Sequence, residues 1–182
     1  MKFSTGLLTV LSLTAVAFSN PVKRDVDQVK ADVADISTKV VSLDNAIAAF
    51  PLTGGTLLAA LGIHNSAVAL NTALQSATTN VIAAGVLGEA DGLEVLNTVA
   101  GFAPNIDNAL VGIVEKKPAF AALPIGGLPA LIHQDLNNLK ASTDGYATAL
   151  VDNAPDVLKD QAGDLRDAAL AGFDPAIAAY AP

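Results

Sequence analysis

The sequence predicts an all-α protein, folded as a compact antiparallel bundle of about five to six helices. Three observations support this fold class. Apolar residues recur at three- and four-residue steps over nearly the whole chain after Asp25, which is the period of a helix with one buried face. Alternating runs of β-branched residues, typical of half-buried strands, are missing. Glycines and prolines divide the chain into helix-sized segments.

The first predicted helix extends from Asp25 to Phe50. Asp25 and Gln28 are spaced as a capping box at its start, and Pro51 ends it. Burial of its apolar side chains gains roughly 12–24 kcal/mol gross, whereas ordering its backbone costs roughly 25–50 kcal/mol. The helix therefore needs partners along its apolar stripe, which consists of Val26, Val29, Val33, Ile36, Val40, Leu43, Ile47 and Phe50.

A second helix is expected after the Gly54-Gly55 break. Its main stripe is widened by Leu57, Leu61 and Val68, so it is apolar over more than one face and is expected to be central in the bundle. The residues of the main stripe are Ile63, Ala67, Leu70, Leu74, Ala77 and Val81.

The second half of the chain predicts five more helical segments. One covers residues 89–102 and is interrupted by Pro104, and the next continues to Glu115. A long stripe then leads from Ile132 to Leu150, followed by a segment to Phe173. Asp174 and Pro175 are expected to be the cap and first residue of a short terminal helix. The long stripe contains Ile132, Leu136, Leu139, Thr143, Tyr146 and Leu150.

The N-terminal residues indicate export. Lys2, a short apolar stretch and a small-x-small site at residues 15–17 predict a signal peptide over residues 1–17. Residues 18–24 end in the dibasic pair Lys23-Arg24 and predict a propeptide, the alternative being a charged linker. Residues 25–182 are then a single helical domain. Neither a glycosylphosphatidylinositol signal nor a transmembrane anchor is expected.

Charge and cysteine usage exclude several function classes. Eighteen acidic and ten basic residues give a formal net charge of −8, which disfavours binding to nucleic acid and to anionic lipid head groups. Cysteine is absent from the sequence, so the domain depends on its apolar core and has no thiolate for zinc or redox chemistry.

Neither a catalytic nor a metal-binding constellation is predicted. His64 lies in line with apolar residues and is expected at the core or its boundary, and His133 and Asp135 point in different directions on a helix. The serines do not lie in a nucleophile motif, and the glycine pairs lack a phosphate-loop lysine. One acidic set is expected to be a solvated helix face: Asp156, Asp160, Asp164 and Asp167.

The candidate site is apolar. The mean hydropathy is +0.47, and the stretch from Pro118 to Ile132 has no side chain that can form a hydrogen bond. This stretch caps the core between two helices or forms a lid that meets lipid or a hydrophobic solid, and the two uses can coexist. The sequence leaves open an internal pocket or an exposed apolar face. The residues expected to contact the ligand or surface are Leu57, Leu61, Phe120, Leu123, Ile125, Leu128, Leu131, Ile132 and Tyr146.

Three short motifs carry a resemblance to a known family. The segments are "IVEKKPAF", "DLNNLK" and "FDPAIAAY", and they follow a helical start that comes directly after the predicted dibasic processing site. Together these features resemble the fungal hydrophobic surface binding protein A family, which includes cell wall galactomannoproteins. The resemblance covers residues 25–180. It implies a secreted, non-enzymatic helical domain that adsorbs to hydrophobic surfaces or binds fatty acids, and that recruits a secreted polyester or cutin hydrolase.

The function expected from the sequence is therefore binding of hydrophobic surfaces or lipid tails, without covalent chemistry and without a cofactor. The expected location is extracellular, in the medium or associated with the cell wall. One alternative is a structural wall or matrix protein that binds glycans or other wall proteins through its acidic exterior. Another is a small hydrolase that uses His133.

Overall fold

The computed structural model describes residues 21–124 and 126–182, with side chains from Asp25 onward. Within these residues it confirms the all-α prediction. The predicted signal peptide, residues 18–20 of the predicted propeptide, and Ile125 lie outside the described residues. The α-helices are α1 (Pro21–Ala49), α2 (Leu57–Ala84), α3 (Glu89–Glu115), α4 (Lys117–Ala121), α5 (Leu128–Asp152), α6 (Lys159–Ala171) and α7 (Phe173–Tyr180), with a 3-10 turn at Asp156–Leu158.

Helix boundaries follow from local chemistry. The Thr56 hydroxyl accepts a hydrogen bond from the Ala59 backbone N–H at 3.2 Å and caps α2. Gly85 ends α2 at a φ of 69°, where a residue with a Cβ is strained. The predicted start of α1 at Asp25 was wrong. The helix begins at Pro21, because proline lacks only an N–H that the first turn leaves unbonded in any case.

The long helices form a closed ring. α1 packs against α2 and α3, α2 packs against α5, and the side between α5 and α3 is filled by α6 followed by α7. α1 and α3 run parallel, since Lys30 contacts Glu94 and Asp44 contacts Asn105. Every helix of the ring therefore turns one face toward a shared interior.

This arrangement contradicts the expectation that α2 is central. Its main stripe is buried against α1 and α5, but Leu58, Leu61 and Val68 are exposed on its other side. A ring has no central helix, so the second apolar face of α2 has no helix to pack against. Among the described residues, α2 alone is long and apolar enough to cross a membrane, judged by length and composition only.

Pro104 does not interrupt α3, contrary to the sequence prediction. The helix is continuous from Glu89 to Glu115 with Pro104 inside it. Proline removes one backbone hydrogen bond, but residues on both sides of it, including Phe102 and Leu110, are buried in the core. Tertiary packing therefore holds the helix together across the proline.

Helices occupy both ends of the apolar stretch from Pro118 to Ile132. Pro118 and Pro129 both lie in first turns, of α4 and α5, where proline is tolerated. Phe120 is buried and stacks on Phe50 with ring centroids 4.2 Å apart. Pro118 and Pro129 therefore each lie at the start of a helix and do not keep the stretch from forming helix.

Two lysines near α4 form hydrogen bonds to neighbouring helices. We call this end of the ring the α4 end. Lys116 is buried, and its ammonium donates to the carbonyl oxygens of Ile47 and Ala48 in the last turn of α1. Lys117 donates to the carbonyl oxygen of Ala179 near the end of α7. Each cation meets carbonyls that a helix C-terminus leaves unbonded, where the helix dipole favours positive charge.

Candidate functional site: an apolar cavity inside the ring

The interior of the ring is not completely filled. A cavity of about 110 Å³ lies between the helices. For comparison, an engineered cavity of about 150 Å³ lined by aliphatic side chains stays dry and binds benzene. The cavity is thus large enough to accommodate an apolar group, and α1, α2, α3, α5 and α6 all contribute to its wall. Its aliphatic and aromatic lining includes Ile36, Leu43, Ile47, Ile63, Leu70, Leu74, Val99, Phe102, Ile106, Leu110, Ile113, Leu139, Leu150, Leu165 and Phe173.

The residues that line the cavity are distributed along the bundle. On α5 alone the lining residues extend from Leu128 to Leu150, and 22 residues of α-helix rise by about 33 Å. The Phe50–Phe120 stack lies beside its α4 end, and Gly55 allows the chain to pass over that stack, because a Cβ at Gly55 would overlap the Phe50 ring. An apolar lining that extends along the bundle suits a chain-like ligand better than a compact one.

Few polar side chains interrupt this lining. His64 and Asp135 lie on α2 and α5, and His64 Nδ1 is 2.8 Å from Asp135 Oδ2. Burial raises the pKa of the Asp135 carboxyl above its ordinary value, and the hydrogen bond with His64 opposes that rise. The contact therefore gives the half-buried carboxyl of Asp135 a hydrogen-bond partner at the seam between the two helices.

Two further polar side chains on the wall differ in whether they have a hydrogen-bond partner. Arg166 on α6 donates from Nε and a terminal nitrogen to Asp144 Oδ1, at 2.9 and 2.7 Å. Tyr146 on α5 is buried, and its hydroxyl finds no hydrogen-bond partner among the described residues. Burial raises the pKa of Tyr146, and the negative charge of Asp32 on α1 adds to that effect. The hydroxyl is thus a protonated donor without a protein acceptor.

The predicted site residues fall into three groups. Leu57 is half-buried and Leu61 exposed on α2, while Leu123 packs against the edge of the core. Ile125 lies outside the described residues. The others are brought together on the cavity wall: Phe120, Leu128, Leu131, Ile132 and Tyr146. That these side chains contact a ligand stays a prediction.

Sequence reasoning missed most of the wall. The cavity residues of α1 and α3, such as Leu43 and Phe102, were predicted as core or left out. A signal for α1 was available, because its stripe was complete in the sequence. Whether a stripe packs tightly or leaves a void depends on the spacing of helices, which periodicity does not encode.

Other candidates for chemistry are placed elsewhere. His133 is near Asn137, one turn away on its own helix, and the four aspartates from Asp156 to Asp167 are exposed as predicted. Among the residues that the structure describes, no group of three or more histidine, cysteine, aspartate or glutamate side chains could hold a metal ion.

Comparison with known proteins identifies relatives by sequence. The family model described as hydrophobic surface binding protein A matches residues 26–152. Cell wall mannoprotein 1 of Aspergillus fumigatus is 26% identical over 180 residues, which cover 99% of this chain and 60% of that protein. Cell wall mannoprotein 1 of Aspergillus flavus is 25% identical over 166 residues, 91% of this chain and 57% of that protein. The chain thus spans less than two thirds of the length of these relatives.

Solved structures share the fold. A crystal structure of Afmp4p in complex with palmitic acid matches with a TM-score of 0.77 and 29% identity, covering 86% of this chain and 99% of that chain. Ligand binding domain 1 of the Penicillium marneffei MP1 protein, complexed with arachidonic acids, also has a TM-score of 0.77, at 20% identity, and covers 87% of this chain and 100% of that chain. The second likeness shows the fold alone.

Proposed function

The chain belongs to the hydrophobic surface binding protein A family, and from this premise we propose that it binds the alkyl tails of fatty acids inside the ring of helices. The observation that carries the proposal is the apolar cavity of about 110 Å³, whose lining residues extend along the bundle. Each methylene moved from water into such a lining gains about 0.8 kcal/mol. Association costs about 4–15 kcal/mol, so only a chain of many methylenes binds with useful affinity.

The structural comparison supports the same ligand class. Afmp4p, 29% identical with nearly complete overlap, was crystallised with palmitic acid. In this chain, the predicted site residues Phe120, Leu128 and Ile132 lie on the wall of the internal cavity. We therefore place the tail between α1, α2, α3 and α5, near these side chains.

Filling the cavity tests this function. Ala67 on α2 is buried and lines the cavity, so Ala67→Phe occupies space that the tail would use. Loss of contact for two methylenes corresponds to about tenfold weaker binding. Calorimetric titration of delipidated protein with palmitic acid measures the change. Because the added ring enters an existing void, the thermal midpoint should be unchanged or higher.

The matched control is Ala69→Phe, an exposed position two residues further along α2. It adds the same ring outside the cavity and should leave palmitate affinity unchanged. Wild-type affinity in Ala67→Phe would contradict tail binding at this site, as would a failure of the wild-type protein to bind palmitic acid.

A second function, adsorption to hydrophobic surfaces, is supported by the exposed face of α2. Leu58 is 81% exposed, and Leu61 and Val68 follow it on the same face at helical spacing. Leu58→Ser together with Leu61→Ser should lower adsorption to polystyrene beads. Val157→Ser, which removes an exposed side chain outside α2, is the control. Equal loss in both variants would show that adsorption does not depend on this face.

We propose an extracellular or cell-wall location, which the names of the Aspergillus relatives support. Recruitment of a secreted polyester or cutin hydrolase is implied by the family resemblance. Retention of such a hydrolase on beads coated with this protein, but not on beads coated with albumin, is the expected result. No retention would remove recruitment from the proposal and leave tail binding intact.

A further inference from the structure

Tyr146 presents an unusual polar group to an apolar cavity. The residue is 4% exposed and lines the wall contributed by α5. Within the described part of the chain, its hydroxyl has no hydrogen-bond partner. Buried polar groups in proteins are nearly always paired, because an unpaired one is costly. A hydroxyl kept in such a place is therefore suited to a partner from outside the chain.

The surroundings of Tyr146 determine which partner fits. Burial and the charge of Asp32 both raise the pKa of the hydroxyl, which remains a neutral donor at ordinary pH. Asp32 itself is occupied, since its carboxylate accepts hydrogen bonds from Gln28 and Asn80, both at 2.7 Å. The charge of Asp32 repels an anion brought near Tyr146.

A carboxylate would also lack compensation from cations. Of the described residues that line the cavity, Arg166 carries the permanent positive charge, and its guanidinium is already paired with Asp144. An ionised carboxylate buried without a partner costs far more than one neutral hydrogen bond returns. An uncharged oxygen accepts the same hydrogen bond without that cost. Thr143, one turn earlier on α5, adds a second hydroxyl to the same wall.

We propose that Tyr146 donates a hydrogen bond to an uncharged oxygen of the bound lipid, so that the cavity selects oxygen-bearing alkyl chains over plain hydrocarbon. The inference rests on the proposed function, because it assumes that an alkyl chain occupies the cavity. The oxygen can be a hydroxyl along the chain or an un-ionised carboxyl at its end, and these two sources share the chemistry that Tyr146 recognises.

The test is Tyr146→Phe, which removes only the hydroxyl. Dodecane, dodecanol and dodecanoic acid are compared at pH 7 by displacement of a fluorescent probe from delipidated full-length protein. Loss of one neutral hydrogen bond should weaken dodecanol binding by about 3- to 10-fold and leave dodecane binding unchanged. Folding should not suffer, because the variant removes a buried group that has no protein partner.

Tyr180→Phe is the matched control. The Tyr180 hydroxyl donates to the Ile113 carbonyl oxygen at 2.7 Å, so its loss should lower the thermal midpoint and leave ligand preference unchanged. The sequence contains two tyrosines and no tryptophan, so this variant also leaves Tyr146 as the sole fluorophore of its kind. Its emission should change on addition of dodecanol and respond differently to dodecane.

The outcomes separate the two claims. If stearic acid with a mid-chain hydroxyl loses affinity in Tyr146→Phe and plain stearic acid does not, the oxygen lies along the chain; if both lose affinity, it is the carboxyl group. Either result supports the proposal. Equal effects on dodecane and dodecanol, or no effect on any ligand, would overturn it while leaving tail binding intact. Failure of the wild-type protein to bind any of these ligands would end both.

Discussion

His64 and Asp135 show how a single contact between distant residues shapes the wall of the cavity. Their side chains meet at 2.8 Å, although they lie 71 positions apart in the chain. Asp135 is the more deeply buried partner, with its side chain 12% exposed against 27% for His64. Loss of water around the carboxylate therefore outweighs the hydrogen bond, and the net effect is a raised pKa of Asp135.

This raised pKa predicts a pH-dependent contribution to stability. The folded protein binds a proton at Asp135 at higher pH than the unfolded chain does, so protonation stabilises the fold. The free energy of unfolding of the wild type should rise relative to that of Asp135→Asn as the pH falls from 7 toward the ordinary aspartate range. Urea denaturation of both proteins at several pH values measures the difference, and a constant difference would contradict the raised pKa.

At the scale of single residues, the sequence predicted position better than pairing. Tyr146 and Ile132 were expected at the site because they share one stripe, and both line the cavity. His64 was expected at the boundary of the core, where it lies, but its pairing with Asp135 was not predicted. That pairing depends on the register between α2 and α5, which neither helix encodes alone.

Among the helices, α3 carries an internal proline, Pro104, at an exposed position. Pro104 can therefore be replaced without disturbing the core. Proline in a helix interior lowers the free energy of unfolding by about 3 kcal/mol relative to alanine. Proline also restricts the unfolded chain, which raises the free energy of unfolding by about 0.4–1 kcal/mol. Pro104→Ala should therefore raise the free energy of unfolding by about 2 kcal/mol, measured by urea denaturation.

Pro175→Ala is the comparison for this prediction. Pro175 lies in the first turn of α7, where its missing N–H costs nothing. Its replacement should leave stability unchanged or lower it by up to about 1 kcal/mol through the unfolded chain. Similar effects of the two substitutions would mean that α3 does not keep its helical hydrogen bonds around residue 104.

The helices themselves were largely predictable, and their arrangement was not. The stripe of α1 was complete in the sequence, and all of its members from Val29 to Phe50 are buried. Periodicity made α2 look central, and the helix-breaking tendency of proline made Pro104 look like a break. Both errors concern tertiary packing, because local sequence shows neither which neighbour will meet an apolar face nor whether packing will hold a helix together across a proline.

At the scale of the whole molecule, apolar area is divided between the inside and the outside. The ring turns its stripes inward around the cavity, while α2 keeps Leu58 and Leu61 in contact with solvent. A net charge of −8 on a chain with a mean hydropathy of +0.47 opposes association through that exposed face. We therefore expect this charge to oppose association of copies of the chain through the exposed face of α2 at neutral pH.

This balance predicts that adsorption to hydrophobic solids depends on pH and salt. The sequence pI is about 4.4, so repulsion between adsorbed molecules is weakest near pH 4 and strong at pH 7. Coverage of an alkyl-coated quartz crystal microbalance should be higher at pH 4 than at pH 7 when the salt concentration is about 0.01 M, where the Debye length is about 30 Å. In about 1 M salt that length falls to about 3 Å, and the two coverages should converge. Equal coverage at low salt would show that apolar contact alone governs adsorption.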